Sequence, residues 1–354
     1  MTHYRLFRRA ALAGALALPI LTTGCGLFSQ EASNQIDPPQ NAAQNNASQG
    51  EGNVTGQTDT QGQQTQMTVY LKDSNNLLAP VTVLAALGNE EKAGQKALEL
   101  MVDGGALASE LPEGFQAVLP KGTQVKDFKI VPDQKLAIVD FSKSFGDYSA
   151  SEERRIVEAV TWTLTGMEGI QKVQIWLEGE ELTEMPVEGM PLDQPMTRTV
   201  GINLEAAEGL NYSQSTAVTL YFSAVTPDDE PYYVPVTRLI NRTNNKAKAA
   251  IDQLIAGPLS NGTRLNAVIT PDVVVKDITK KNDIVTIDLE DSAYKEGVQQ
   301  PAEMLEAVVL ALTENTGFGK VQIKINGKTD VVDTNNQSYS QPVSRPDHMN
   351  AFKS

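Results

Sequence analysis

The chain has one cysteine, Cys25, and two histidines, His3 and His348, among its 354 residues. A single thiol excludes an internal disulfide and a cysteine-built zinc cluster. Neither histidine lies in the body of the chain, so a Ser-His-Asp or Cys-His arrangement has no base there. No His-Glu-x-x-His, phosphate loop or dinucleotide fingerprint occurs. Aromatic residues make up 6% of the chain and only two are tryptophans, Trp162 and Trp176, so surfaces for ring stacking are scarce. Positive charge is also in deficit. The formal net charge is −15, and it is −18 once the three arginines of residues 1–24 are set aside, the wrong sign for neutralising phosphates. Composition therefore predicts no catalytic residue, no cofactor, no metal and no nucleic-acid partner.

Long apolar runs are missing too, apart from residues 10–21, which are too few to span a bilayer as a permanent helix. Arg5, Arg8 and Arg9 precede that run and Leu21-Thr22-Thr23-Gly24-Cys25 ends it. This pattern predicts a secretion signal over residues 1–24. Its end resembles a bacterial lipobox, with Thr22 where leucine is usual, which implies cleavage before Cys25 and a lipid on its thiol. From residue 29 to 66 the only large apolar side chains are Ile36 and Val54. Such a stretch buries too little to offset its chain entropy. Residues 25–66 are thus expected to be a lipidated cysteine and a disordered polar tether. Its apolar-poor part would average about 35 Å end to end as a coil and reach about 130 Å when drawn straight. The expected location is the extracytoplasmic face of the cell membrane, held by the lipid anchor.

What the chain does contain, it contains twice. Glu158-Ala159-Val160 recurs as Glu306-Ala307-Val308, Lys172-Val173-Gln174-Ile175 as Lys320-Val321-Gln322-Ile323, and Gln194-Pro195-Met196-Thr197-Arg198 as Gln341-Pro342-Val343-Ser344-Arg345. Val125-Lys126-Asp127 likewise matches Val275-Lys276-Asp277. The expected organisation is a first domain over residues 67–198, a linker over 199–217, a second domain over 218–345 and a tail over 346–354.

Each copy opens with two β-rich runs around a turn-forming stretch, residues 67–71 and 81–85 in one and 218–222 and 232–240 in the other. A helix follows, ended by Gly104-Gly105 or Gly257-Pro258. Two strands come next, then a second helix whose apolar positions Ile156, Val157, Val160 and Leu164 reappear as Met304, Leu305, Val308 and Leu312. Ser149 with Glu152 has the spacing of a capping box for the first of these helices. A last strand alternates Val173, Ile175 and Leu177, matched by Val321, Ile323 and Ile325. The predicted class is α+β: a tandem repeat of two similar two-layer α/β sandwich domains, β-β-α-β-β-α-β each, with both helices on one side of a sheet.

These segments resemble the GerMN domain. The resemblance rests on Ala117-Val118-Leu119-Pro120 and Ala267-Val268-Ile269-Thr270, and on Val139-Asp140-Phe141-Ser142 with Gly179 and Ile287-Asp288-Leu289-Glu290 with Gly327. The Glu-Ala-Val of each second helix belongs to the same pattern. Thr270, Glu290 and Gly105 depart from it. Membership implies a ring-building-motif-like fold and a role in sporulation and germination of endospore-forming bacteria. It implies work at the channel-like complex joining mother cell and forespore, and in cortex formation. The implied partners are other sporulation proteins at that interface, with peptidoglycan and a ring-forming oligomer as further options.

One catalytic alternative survives the inventory, paired carboxylates of the glycoside-hydrolase kind. The repeating candidates are Asp140 with Glu158 and Asp288 with Glu306, and a structural role is the stronger reading of both pairs. Arg198 and Arg345 are expected to be able to pair with one of these acids each. Trp176, out of phase with the apolar stripe of its strand, and Trp162 are candidates for stacking on a sugar. Their counterparts Leu310 and Lys324 confine that option to the first copy. The expected function is non-enzymatic assembly, with a peptidoglycan-binding or cortex-modifying lipoprotein as the alternative.

Overall fold

The computed structural model describes residues 63–88, 92–207, 209–259 and 264–352. The expected secretion signal, Cys25 and the expected tether as far as residue 62 lie outside the described residues. No helix among the described residues is long and apolar enough to cross a membrane.

The first repeat runs β1 (Gln63–Asp73), β2 (Leu78–Leu87), α1 (Ala93–Leu100), β3 (Phe115–Gln116), β4 (Val125–Val131), β5 (Leu136–Phe141), α2 (Glu153–Leu164), β6 (Lys172–Leu177) and β7 (Glu180–Glu181). After β8 (Glu205–Ala206) the second runs β9 (Ser215–Val225), β10 (Pro231–Asn241), α3 (Lys246–Ala256), β11 (Val274–Lys281), β12 (Ile284–Glu290), α4 (Ala302–Thr316), β13 (Lys320–Ile325) and β14 (Val343–Ser344). The expected order of long elements is present in both copies.

In each copy the later strands form one mixed sheet, β4-β5-β6-β7 and β11-β12-β13-β14. The middle pair is parallel, as a crossover through α2 or α4 requires, and its neighbours are antiparallel. Even the irregularities repeat, with a register shift between Val125 and Asp127 and another between Val275 and Asp277. Valines and isoleucines at alternate positions of β6 and β13 are buried. Gly94 lets α1 lie close on β4, since a Cβ there would fall 2.2 Å from the Phe128 ring.

The opening hairpins do not join these sheets. β1 and β2 pair with each other in a sheet completed by β3, and β9 and β10 pair in a sheet completed by β8. Each hairpin packs on the far side of the second helix, so that helix is covered on both faces. In α2 not only Ile156, Val157, Val160 and Leu164 are buried but also Ala159, Thr161, Trp162 and Thr163. Tyr70 of β1 donates its N–H to Thr163 Oγ1 at 3.0 Å. A polar threonine on a covered face hides this second contact from hydrophobic periodicity, which shows one stripe where the helix has two buried sides.

Two local expectations are corrected. Helix α1 ends at Leu100, ahead of Gly104-Gly105, because Met101 O accepts the N–H groups of Val118 and Leu119 at 3.0 and 2.8 Å. The capping box before α2 does not form. Glu152 carboxylate instead binds Arg155 at 2.5 Å, and Ser149 Oγ meets Ser151 Oγ.

Candidate functional site

Asp140 ends β5 on the face opposite the buried Val139 and Phe141. Its Oδ1 accepts the N–H of Gly179 at 2.9 Å, and Asp288 accepts that of Gly327 at 2.8 Å. Both glycines have φ near the left-handed region, +86° and +78°. Each aspartate thus pins the turn that follows the next strand, and Lys276 approaches Asp288 to 3.8 Å.

Glu158 lies on the buried hairpin side of α2. It binds Arg154 at 2.7 Å and accepts the N–H of Asn203 at 3.1 Å. Burial pushes its carboxyl up, and Arg154 opposes this. Glu306 accepts the Tyr233 hydroxyl at 3.1 Å and is also pushed up by burial, with no cation bound to it among the described residues. Asp140 and Asp288 thus lie on the sheet faces turned away from the buried residues, and Glu158 and Glu306 on the hairpin sides of their helices, so the members of each expected pair belong to different surfaces. The described residues hold no cluster of three or more side chains suited to a metal ion.

The expectation for the arginines is also overturned. Arg198 and Arg345 both bind Glu314 of α4, at 2.6 and 3.1 Å, and neither binds the repeated acids. Arg345 donates to the Tyr221 hydroxyl at 2.6 Å, which in turn donates to Glu314 at 3.2 Å. Burial alone would raise the Glu314 carboxyl, but the two arginines and Tyr221 hold it below its ordinary value. Arg198 also stacks 4.4 Å from the centre of the Trp162 ring. Trp162 is fully buried and donates Nε1–H to Gly201 O at 2.7 Å, which removes it as a sugar platform. Trp176 is half-buried, with its Nε1 enclosed and lacking a hydrogen-bond partner.

These contacts outline an interface between the repeats that has an approximate two-fold relation. Asn203, in the segment after the first copy, accepts the N–H of Leu78 at 2.8 Å and donates to the carbonyls of Leu78 and Pro235 at 2.7 Å each. Asn350, after the second copy, accepts the N–H of Tyr233 at 2.9 Å and donates to the carbonyls of Tyr233 and Pro80 at 2.8 and 2.6 Å. Both asparagines have positive φ, 47° and 53°. Each binds both backbone groups of one residue in its own copy's hairpin and one carbonyl of the other's. The flanking segments then cross over. β8 runs parallel to β10, and Ala351 bridges Thr82 of β2 in parallel. Thr237 hydroxyl accepts the N–H of Ile202, while Thr82 hydroxyl donates to Met349 O. Phe352 packs on Phe115 and Tyr232.

The stretches read as linker and tail are thus working parts of the interface. Asn203, Glu314 and Asn350 were missed in sequence. The separation of Asn203 from Asn350 matches that of Arg198 from Arg345, and that coincidence was the available signal.

Two hairpin-topped mixed sheets, repeated in tandem and locked by their own flanks, place the chain in the Germane family (sporulation and spore germination), to which it belongs. The family model matches residues 68–183 and 219–331. The chain is 36% identical, over 96% of its length and 97% of the relative's, to the spore germination protein GerM of Bacillus subtilis (strain 168). It matches the solved tandem GerMN domains of the sporulation protein GerM from Bacillus subtilis with a TM-score of 0.75 at 36% identity, covering 82% of this chain and 100% of that one. The first GerMN domain of that protein, solved separately, is 40% identical and covers 38% of this chain and 98% of its own, with a TM-score of 0.35.

Proposed function

We propose that this chain is a non-enzymatic, lipid-anchored assembly factor of sporulation and spore germination, acting at the channel complex between mother cell and forespore and in cortex formation. The observation that carries the reading is the reciprocal lock at Asn203 and Asn350, which joins two similar modules into one body with unlike outer surfaces. Such a body can hold two partners, or two faces of one, at a fixed spacing. The use of Asp140, Glu158, Asp288 and Glu306 in internal hydrogen bonds supports a non-catalytic role. Cys25 is the proposed attachment point, and residues 25–66 the spacer between membrane and modules.

The test is localisation in sporulating cells. The full chain is expected at the sporulation septum, and a chain carrying Asn203→Ala with Asn350→Ala is expected to lose that position. Cys25→Ala should leave an uncleaved precursor and abolish fatty-acid labelling. A single repeat anchored at the membrane that restored sporulation would overturn the reading. So would cortex digestion by the purified chain that is lost on replacing one of the four acids by its amide.

A further inference from the structure

The glutamate on the hairpin side of the second helix is answered differently in the two repeats. In the first, Arg154, one turn earlier on α2, binds Glu158 at 2.7 Å and donates to Val200 O at 2.6 Å. A guanidinium thus bridges the helix and the segment that follows the repeat. Counting back from Glu306, Ala302 stands in the place of Arg154 and Glu303 in that of Arg155. The second repeat therefore keeps the carboxylate and lacks the arginines that accompany it in the first. Burial works against the charge on both carboxyls, and at Glu158 the nearby Arg154 opposes that effect.

Beside Ala302 and Glu306 lies a cavity of about 380 Å³. Pro231 and Pro301 give it apolar walls, and Glu303 adds a second carboxylate. Tyr233, held by Asn350 as Leu78 is held by Asn203, donates its hydroxyl to Glu306 Oε2 at 3.1 Å. No described residue bonds Glu306 Oε1, and no lysine, arginine or histidine is among the described residues that line the cavity. From Cys25 onward, Lys353 is the one basic residue outside the described residues. Ala206, its counterpart in the first copy, pairs with Leu239 and does not line the cleft at Glu158.

We infer that this cavity receives an arginine side chain of a partner protein, which supplies in trans the guanidinium that the first repeat supplies to itself. A largely buried carboxylate left without a cation is costly, and a partner that brings one recovers that cost. The planar fork of a guanidinium suits a carboxylate whose second oxygen is already taken by a hydroxyl. Its alkyl stem can lie along the two prolines while the charge reaches Glu306. The first repeat is the template, since there the equivalent carboxylate holds an arginine. A second copy of this chain, with its excess of acidic residues, is the poorer occupant. This site deepens the assembly reading by giving the chemistry of one contact. It is tested apart from that reading, by binding in solution instead of localisation in cells, so either can fail alone.

The experiment records amide NMR spectra of the full chain titrated with an acetylated, amidated Gly-Arg-Gly peptide. The control carries citrulline, which has the same shape without the charge. The arginine peptide is expected to shift the amides of Tyr233, Ala302 and Glu306 saturably, and the citrulline peptide to leave them in place. The amides of Glu158 and Asn203 should stay still with both, because Arg154 already serves that carboxylate. Glu306→Gln removes the charge, and Ala302→Arg brings a guanidinium one turn before Glu306; each should weaken binding about tenfold or more. Glu306→Gln serves alone if thermal melting shows that Ala302→Arg unfolds. Equal shifts from the two peptides, equal shifts in both repeats, or binding that survives every folded variant would overturn the inference. So would self-association of the parent chain that Glu306→Gln abolishes, which would make a second copy the occupant. Binding that appears only in Lys353→Ala would also overturn it, by giving the cavity to the chain's own end.

Discussion

Glu314 stands where the first repeat has Gly166, so two equivalent arginines, one from each repeat, share a single carboxylate. Gly166 cannot supply a second anion, and a Cβ at that position would already lie 3.5 Å from Arg198 Nη2. The interface is two-fold in its asparagines and one-sided in its charge.

Glu314→Gln is expected to destabilise the chain by more than the about 1 kcal/mol of a surface pair and less than the about 3–5 kcal/mol of breaking a fully buried one. The side chains of Glu314, Arg198 and Arg345 retain 12% and 23% and 23% of their exposure, between those limits. Because the folded state holds Glu314 below its ordinary value, its contribution is present above the unfolded value and is lost as pH falls through the folded one. Urea unfolding of parent and variant at neutral pH and at progressively acid pH should show the difference shrinking in acid.

Glu306→Gln should act in the opposite direction. Burial raises this carboxyl without a bound cation, so at neutral pH its charge opposes folding, and the amide can still accept the Tyr233 hydroxyl. The variant is expected to unfold at higher urea than the parent at neutral pH. The advantage should vanish below the ordinary carboxylate range, where both side chains are neutral. A variant less stable than the parent at neutral pH would refute this account of Glu306.

Replacing Asn203 or Asn350 by alanine leaves backbone groups at the repeat interface unsatisfied, at about 1–3 kcal/mol each, and adds the strain of a positive φ. Asn→Gly relieves the strain and keeps the loss, so it should recover part of the stability. Hydrogen exchange supplies the local readout: Leu78 N–H should lose protection in the Asn203 variants and Tyr233 N–H in the Asn350 variants.

The two tryptophans give an optical check. With Trp176 replaced by Phe, the remaining emission comes from Trp162, fully buried under Arg198, and should be blue-shifted and resistant to acrylamide. With Trp162 replaced instead, the half-buried Trp176 should be quenched more readily. Equal quenching of the two variants would contradict the placement of Trp162 in the interface.

The repeat and the order of its elements were legible because apolar spacing is a local property, and the stripe of Ile156, Val157, Val160 and Leu164 survives as Met304, Leu305, Val308 and Leu312. The placement of the hairpins was not. Thr161 and Thr163 are polar residues outside that stripe, yet both are buried and Thr163 bonds the backbone of β1. The site was harder still, since Asn203 and Asn350 act through backbone partners that no side-chain pattern marks. Arg198 and Arg345 did announce themselves by repetition, but their shared partner Glu314 has no counterpart to repeat.

The crossed flanks also set the order in which the molecule can be completed. Thr82 and Pro80 wait for Met349 and Asn350, partners 267 and 270 positions away. Contacts of such separation form late, after long loop closure. Both hairpins can form early, but Pro80 and Thr82 of the β2 edge stay without these partners until residues 349–351 have been delivered. A chain stalled or clipped before that point presents a naked strand to its neighbours, so completion of the chain and protection from aggregation become the same event.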